Sequence, residues 1–269
     1  MKFGLVFAKE NKEAQGIAVK IRDYLKIKGH KIFEGDLKGA EVVLVLGGDG
    51  TLIHVACEHI ELGVPFFGIN TGTLGFLTAV EGKDWQEAIE RIIKGDYFVS
   101  ERMTLEASIE ANSKSQTLNS KFRALNDVVV KGVYRVVDLE IRVNGHDFMT
   151  TRGDGVILAT QTGSTAYSLS AGGPIIDPNV DCLLVTPINA HGLPIPSVAL
   201  SPNDAVEIKI TAGDDISLII DGQEHTKISQ SQSVKVQRGK YRVKLGYFDK
   251  QHFLKALNAK FGLASRLVS

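Results

Sequence analysis

The stretch LGGDGT, Leu46 to Thr51, sets a carboxylate inside a glycine-rich turn. The apolar run before it, VVLVL, reads as a strand buried on both faces. Leu52, Val55, Ala56, His59 and Ile60 after it keep helical spacing. Glycines between a strand and a helix let backbone approach a ligand closely, and the helix's first amides favour anions. The turn lacks the Lys-Ser/Thr of a Walker loop and is not GxGxxG. An acid therefore stands where a phosphate-neutralising lysine would be expected. Asp49 at the end of a parallel strand is placed either to act on a substrate group or to cap the next helix. Thr51 could take the capping role by itself.

Four more stretches carry comparable chemistry. GINTGTLGFL (68–77) again runs a buried strand into glycines and hydroxyl residues. ALNDVVV (124–130) puts Asn126 and Asp127 just before an apolar strand, where they can bond ribose hydroxyls or simply form a turn. RGDGVILATQTGSTAYSLSAGGPIID (152–177) holds a second Asp-Gly pair, then a run of small hydroxyl residues around Tyr167. Small residues admit a flat ring, and the tyrosine offers a face and a hydroxyl. LIIDGQE (218–224) by itself reads as a hairpin turn. His54, Cys57 and Glu58 lie about one helical turn apart, but with no second cluster they read as a half-buried helix face. His191 in the proline-rich 186–197 stretch reads as a loop residue, and Cys182 as core.

Two rhythms position these residues. Over the first hundred, short apolar strands (3–8, 31–34, 42–46, 64–69) alternate with helical patterns from Ala14 to Leu25 and from Asp84 to Gly95. Asp84 with Glu87 resembles a capping box. This is the order of a Rossmann-like parallel sheet. After about residue 100 the period falls to 2: Met103 to Ile109, Leu139 to Val143 before Asn144-Gly145, Val206 to Ile210, Ile216 to Ile220, and Tyr241 to Tyr247. The expected fold is α/β plus all-β: an α/β domain over 1–100, then an antiparallel β-sandwich over 101–248. The tail 249–269 is expected to be a helix, with Phe253, Leu254, Leu257 and Phe261 on one face, packing back on the first domain. The polar stretch 112–120 is expected as an exposed loop.

The bulk numbers narrow the class. The 269 residues are 43% hydrophobic, enough for one large core or two modest ones. Lys plus Arg equals Asp plus Glu at 31 each, which argues against a nucleic-acid partner. The chain has no apolar run of about 18 residues, so no membrane-spanning helix is expected. The apolar start 3–8 is too short for a secretory signal. Two distant cysteines then read as free thiols in a reducing cytoplasm.

Taken together, GGDGT at 47–51, NTGTLGFL, the Asn-acid pair and DG…TGSTAYSLSAGGPI resemble the NAD kinase family in content and order. GGDGT also occurs in diacylglycerol and sphingosine kinases and 6-phosphofructokinases; the TGSTAYSLSAGGPI run is far more specific. The resemblance implies transfer of a phosphoryl group from ATP to the adenosine ribose 2′-hydroxyl of NAD, with a divalent cation, Mg²⁺, as cofactor. It makes Asp49 the proton acceptor, with Gly50 beside the substrate and Phe76 lining the dinucleotide pocket. Asn126 and Asp127 would hold the dinucleotide, although the family has Glu where this chain has Asp127. Asp154 would meet the nicotinamide end with Arg152 close by. Thr162 and the run Thr165, Ala166, Tyr167, Ser168, Leu169 and Ser170 would form the adenine and ribose pocket, and Gln223 a further contact. The resemblance further implies a cytoplasmic homodimer or homotetramer acting on small molecules. A lipid kinase sharing GGDGT and a non-catalytic NAD sensor are the competing readings.

Overall fold

The computed structural model describes residues 1–72, 75–111, 121–230 and 232–263. The expected loop 112–120, residues 73–74 of the second glycine motif and the tail end 264–269 lie outside them. The chain divides into two compact units, Met1–Glu101 with Arg242–Ser269, and Arg102–Tyr241.

The first unit is built on a seven-stranded sheet. Its order is Lys31–Phe33, Lys2–Phe7, Val42–Leu46, Phe66–Asn70, Val243–Tyr247, Phe98–Arg102, with Val80–Glu81 also paired to Phe66–Asn70. The strands Lys2–Phe7, Val42–Leu46 and Phe66–Asn70 run parallel. All five residues of Val42–Leu46 are buried, as an apolar run covered on both faces requires. On one face Phe3, Leu5, Leu44 and Phe67 pack with Ile17, Ile21, Leu25 and Ile89 of the helices Lys12–Ile27 and Trp85–Lys94. The Asn11 side chain caps the first of these by accepting from the Ala14 amide at 3.0 Å. Helix Asp49–Glu58 packs on Val42–Leu46 and Phe66–Asn70.

Several sequence expectations change here. The strand expected to close the antiparallel series, Val243–Tyr247, lies instead in this parallel sheet, with Leu245 opposite Phe66. Alternation does not distinguish the two settings. Gly246 permits this packing, since an added Cβ there would lie 2.3 Å from the Phe67 ring. Asp84 precedes helix Trp85–Lys94 without a side-chain cap, because the 3-10 turn Gly82–Asp84 feeds straight into it. Helix His252–Phe261 belongs to this unit and buries Ala256 and Leu257. Leu254, expected on that face, is 61% exposed.

The second unit is a sandwich of two six-stranded sheets. One has the order His146–Gly153, Val137–Val143, Val206–Ala212, Gln232–Arg238, Leu105–Ala111, Lys121–Ala124. The other has Val198–Leu200, Leu183–Ile188, Gly155–Ala159, Asp127–Gly132, Ile216–Ile220, Glu224–Ile228. All their pairings are antiparallel. Leu139, Ile141, Ile208 and Val234 of the first sheet meet Val128, Val130, Val156, Leu158 and Leu218 of the second. Asn144 and Gly145 join their hairpin with φ of 51° and 81°, the signature of a type I′ turn. The second sheet is covered on its outer face too: Val129, Ile157, Ala159, Cys182 and Leu184 pack there with Ala171 and Ile176. This double covering explains why VILA and LLV are unbroken apolar runs rather than alternating ones. Leu44 is fully buried in the first unit's core. Leu44→Ala is expected to cost about 2–5 kcal/mol, read as a drop in urea midpoint at unchanged slope.

Candidate active site

Helix Asp49–Glu58 begins two residues before Thr51, with Gly48 as its N-cap and no side-chain cap. Neither Asp49 nor Thr51 therefore plays the capping role considered for it. The Asp49 carboxylate crosses instead to the second glycine motif. Its Oδ2 accepts from the Phe76 amide at 2.6 Å, and its Oδ1 accepts from the Leu77 and Thr78 amides, each at 3.1 Å. An ionised carboxylate offers about four lone-pair directions, so three amides leave one. At Gly75 an added Cβ would lie 1.9 Å from Asp49 Oδ1. LGGDGT and the loop at 75–78 are thus one clasped piece, with Gly50 exposed beside it.

The second unit holds a pocket of about 370 Å³ on the outer face of its second sheet. Asn126, Asp127, Ala166 and Tyr167 line it, four residues expected to bind together. Val129, Lys131, Ile219, Asp221, Gly222 and His225 complete the wall. Sequence reading missed this last group. The pairing of Val129 with Ile219 across adjacent strands was legible only once the register was known.

Asp221 has a second task. Its turn has φ of 48° at Asp221 and 69° at Gly222, so the hairpin reading of LIIDGQE holds. Its carboxylate also accepts from three successive amides: Leu125 at 2.8 Å, Asn126 at 2.7 Å and Asp127 at 3.0 Å. The Asp127 carbonyl accepts from the Asp221 amide at 3.0 Å. Asn126 and Asp127 are therefore fixed through their backbone, which leaves their side chains to face the pocket. Gly163 completes the support, since a Cβ there would meet the Asn126 carbonyl oxygen at 2.1 Å. Asp127 is 4% exposed. Burial, and secondarily the charge of Asp221, pushes its carboxyl up to about 7.

The small-residue run divides. Tyr167, at 36% exposure, presents its ring, and Ala166 lies beside it. Ser168 was expected in the pocket but is fully buried, with its Oγ 2.9 Å from the Thr186 hydroxyl. It packs the loop onto the sheet, because Gly173 admits it with no side chain of its own. Thr165 bonds back to the Thr162 carbonyl at 3.3 Å, Leu169 is half-buried and Ser170 is exposed. Among the described residues the buried atoms Asn126 Oδ1 and Thr162 Oγ1 have no hydrogen-bond partner. Buried polar atoms are normally paired, so Asn126 Oδ1, on a residue of the pocket wall, marks a place for a polar ligand group; Thr162 lies outside that lining. Gln223 is exposed in the turn after Asp221.

Asp154 and Arg152 are not in this pocket's wall. Asp127 pairs with Ala159 and Lys131 with Gly155, so Asp154 lies beyond the far end of the same strand pair. Asp154 is five residues along from Ala159, about 16 Å, next to the end of the strand pair where Lys131 closes the wall. Asp154 Oδ2 accepts from Asn189 Nδ2 at 2.7 Å. Arg152 Nε stands 3.6 Å from Asp138, and its carbonyl accepts from the His191 amide at 2.7 Å. His54 and Glu58 form an exposed pair at 3.7 Å on their helix.

A parallel sheet with an aspartate clasped in its glycine turn, and a sandwich carrying a largely apolar pocket with a few polar groups beside a small-residue loop, define a two-unit α/β plus all-β protein. Comparison with known proteins makes the assignment sharper. The family model of the ATP-NAD kinase N-terminal domain matches residues 4–97, and that of the ATP-NAD kinase C-terminal domain matches 125–246. The NAD kinase of Lachnoclostridium phytofermentans is 35% identical, over 93% of this chain and 90% of its own length. That of Geotalea daltonii is 39% identical over 84% and 80%. The chain belongs to the NAD kinase family. In fold it superposes on yeast NADH kinase complexed with NADH with a TM-score of 0.87, at 23% identity, over 100% of this chain and 90% of the other. An NAD kinase from Archaeoglobus fulgidus in complex with ATP gives 0.76 at 22% identity, with both chains fully covered.

The buried Asp127 makes stability depend on pH. The unfolded chain titrates this group in the ordinary carboxylate range, near 3.8, and the folded chain near 7. Between those values the folded state keeps a proton that the unfolded state has lost. The stability held by the neutral form is complete below pH 4 and is lost as pH rises through about 7. Between pH 5 and 8 the unliganded protein is expected to lose on the order of 2–4 kcal/mol more than Asp127→Asn, by urea titration at each pH. Gly75→Ala forces a methyl into the Asp49 carboxylate. It is expected to lower kcat about a hundredfold while the chain still folds, since a shift near 1 Å in the geometry of a site can cost about that much.

Proposed function

We propose that this chain makes NADP from NAD and ATP, with Asp49 as the group that takes the proton. The 2′-hydroxyl oxygen of the adenosine ribose attacks the γ-phosphorus of ATP. The bond from that phosphorus to the bridging oxygen breaks, ADP leaves, and the hydroxyl proton passes to the one lone pair of Asp49 that the loop amides leave open. The observation that carries this reading is the clasp: three backbone donors fix the carboxylate in a glycine turn beside a helix N-terminus, where phosphates are also favoured. Phosphoryl transfer relies mostly on positioning and charge stabilisation, and a rigid acceptor serves the first. A positioned base contributes about 10²- to 10⁴-fold.

The dinucleotide is assigned to the second unit as follows. Tyr167 and Ala166 take the adenine, while Asn126, Asp127, Thr162 and Thr165 take the polar edge of the nucleoside. Ser168, Leu169 and Ser170 shape the loop behind Tyr167. Asp154, with Arg152 near it, meets the nicotinamide end. The strand separation of about 16 Å between Asp127 and Asp154 suits the two ends of an extended dinucleotide. Gly50 and Phe76 border the reacting part of the substrate, and Gln223 borders the nucleoside. The phosphates of ATP would hold a divalent cation, Mg²⁺, whose charge would offset theirs. The described residues hold no cluster of three His, Cys, Asp or Glu to make a cage for it. We assign the enzyme to the cytoplasm as a homodimer or homotetramer. No observation favours a lipid substrate or a sensor without turnover.

Purified protein with NAD, ATP and Mg²⁺ is expected to form NADP, followed by a coupled NADP-specific dehydrogenase. Asp49→Asn is expected to lower kcat by at least about 10²-fold while NAD binding stays within a few-fold. A near-wild-type rate for this variant would remove Asp49 as proton acceptor.

A further inference from the structure

The Phe76 residue is gripped from a second side. Its amide belongs to the Asp49 clasp at 2.6 Å. Its carbonyl oxygen lies 3.2 Å from His252 Nε2, on the first turn of helix His252–Phe261. Its ring meets the Phe261 ring at 6.3 Å and has the Lys260 ammonium 4.8 Å from its centroid. The His252 ring in turn rests on Tyr247, 4.6 Å between centroids, and Tyr247 is 2% exposed. One end of the helix thus meets the Phe76 backbone and the other end meets its ring. The residues of this chain of contacts all belong to the first unit.

We infer that the C-terminal helix is the outer jaw of the Asp49 clasp, with His252 and Phe261 as positioning residues that set the geometry of Asp49 through Phe76. The physical reasoning is short. A loop bonded to a carboxylate by its amides alone can tilt about those bonds. A donor on the carbonyl of the same residue, and a ring on its side chain, remove that freedom. His252 can serve because the buried Tyr247 ring anchors it to the sheet strand Val243–Tyr247, the strand that runs parallel to Phe66–Asn70. This also gives a reason for the chain to return to its first unit after completing the sandwich. The Nε2–H must donate to the carbonyl, so the role needs a donor at that point and not the imidazole as such. Neither residue is assigned a contact with substrate.

The inference rests on the reading that Asp49 acts in the reaction, and the test separates the two. Hydrogen exchange at the amides of Phe76, Leu77 and Thr78 reports the clasp without turnover, and steady-state kinetics report its use. His252→Ala is expected to speed exchange at these three amides about tenfold and lower kcat about tenfold, with the KM for ATP unchanged. His252→Gln, which restores a side-chain N–H near the carbonyl, is expected to recover most of both. Phe261→Leu, at a half-exposed position, keeps an apolar side chain and is expected to give a weaker loss of the same two quantities. It also serves as the test if His252→Ala does not fold. Unchanged exchange in a folded His252→Ala or Phe261→Leu overturns the proposal. So does equal loss in His252→Ala and His252→Gln. If exchange responds as expected while Asp49→Asn keeps its turnover, the jaw stands and the catalytic reading of Asp49 falls.

Discussion

The arrangement that both halves of this protein depend on is a carboxylate holding three successive backbone amides. Asp49 holds those of Phe76, Leu77 and Thr78. Asp221 holds those of Leu125, Asn126 and Asp127. In each case an aspartate in an Asp-Gly turn at a strand end reaches a segment far away in sequence and neutralises donors that a loop would otherwise expose. Charge-assisted bonds of this kind are about twice as strong as neutral ones. They explain how irregular segments at the ends of sheets are held as firmly as the strands. The side chains carried by those segments can then be committed to a ligand.

The two clasps differ in what they hold. Asp49 is itself the proposed reacting group, so its partners position it, and one acceptor direction stays open. Asp221 is a support, and the groups it positions are Asn126 and Asp127. Its charge has a further effect, because it stands near the buried Asp127 and adds to the burial that favours the neutral acid. The short Asp127 side chain stays close to the strand and to that charge. A neutral carboxyl can donate as well as accept, so the pocket wall can pair with either kind of nucleoside edge.

Much of this was legible in the residues. VVLVL reads as a strand buried on both faces because apolar character does not alternate in it. Asn144-Gly145 forms the expected turn, and the change of period near residue 100 separates the parallel sheet from the sandwich. What was not legible depends on contacts between distant segments. Nothing local distinguishes Val243–Tyr247 from an antiparallel strand, because its alternation is the same in both settings. Ser168 carries a pocket-like neighbourhood in sequence, yet its hydroxyl turns to Thr186, which lies on another strand. Asp221 looked like an ordinary hairpin residue because its three partners are about 95 residues away. Lys131 and His225 enter the pocket wall only through the register of their strands.

The same reasoning accounts for the chain's path. A glycine turn alone, such as LGGDGT, allows a close approach but does not fix one, since glycine adds conformational freedom. The fixing has to come from elsewhere in the fold. Here it comes from 75–78, whose own glycine lets the carboxylate approach so closely that no side chain would fit between. That loop in turn needs a support beyond the parallel strands, and the segment after the sandwich supplies it: Leu245 pairs opposite Phe66, and helix His252–Phe261 meets Phe76. A chain that ended with its sandwich would keep the glycine motif and the aspartate. It would lose the strand and helix that hold the loop against them.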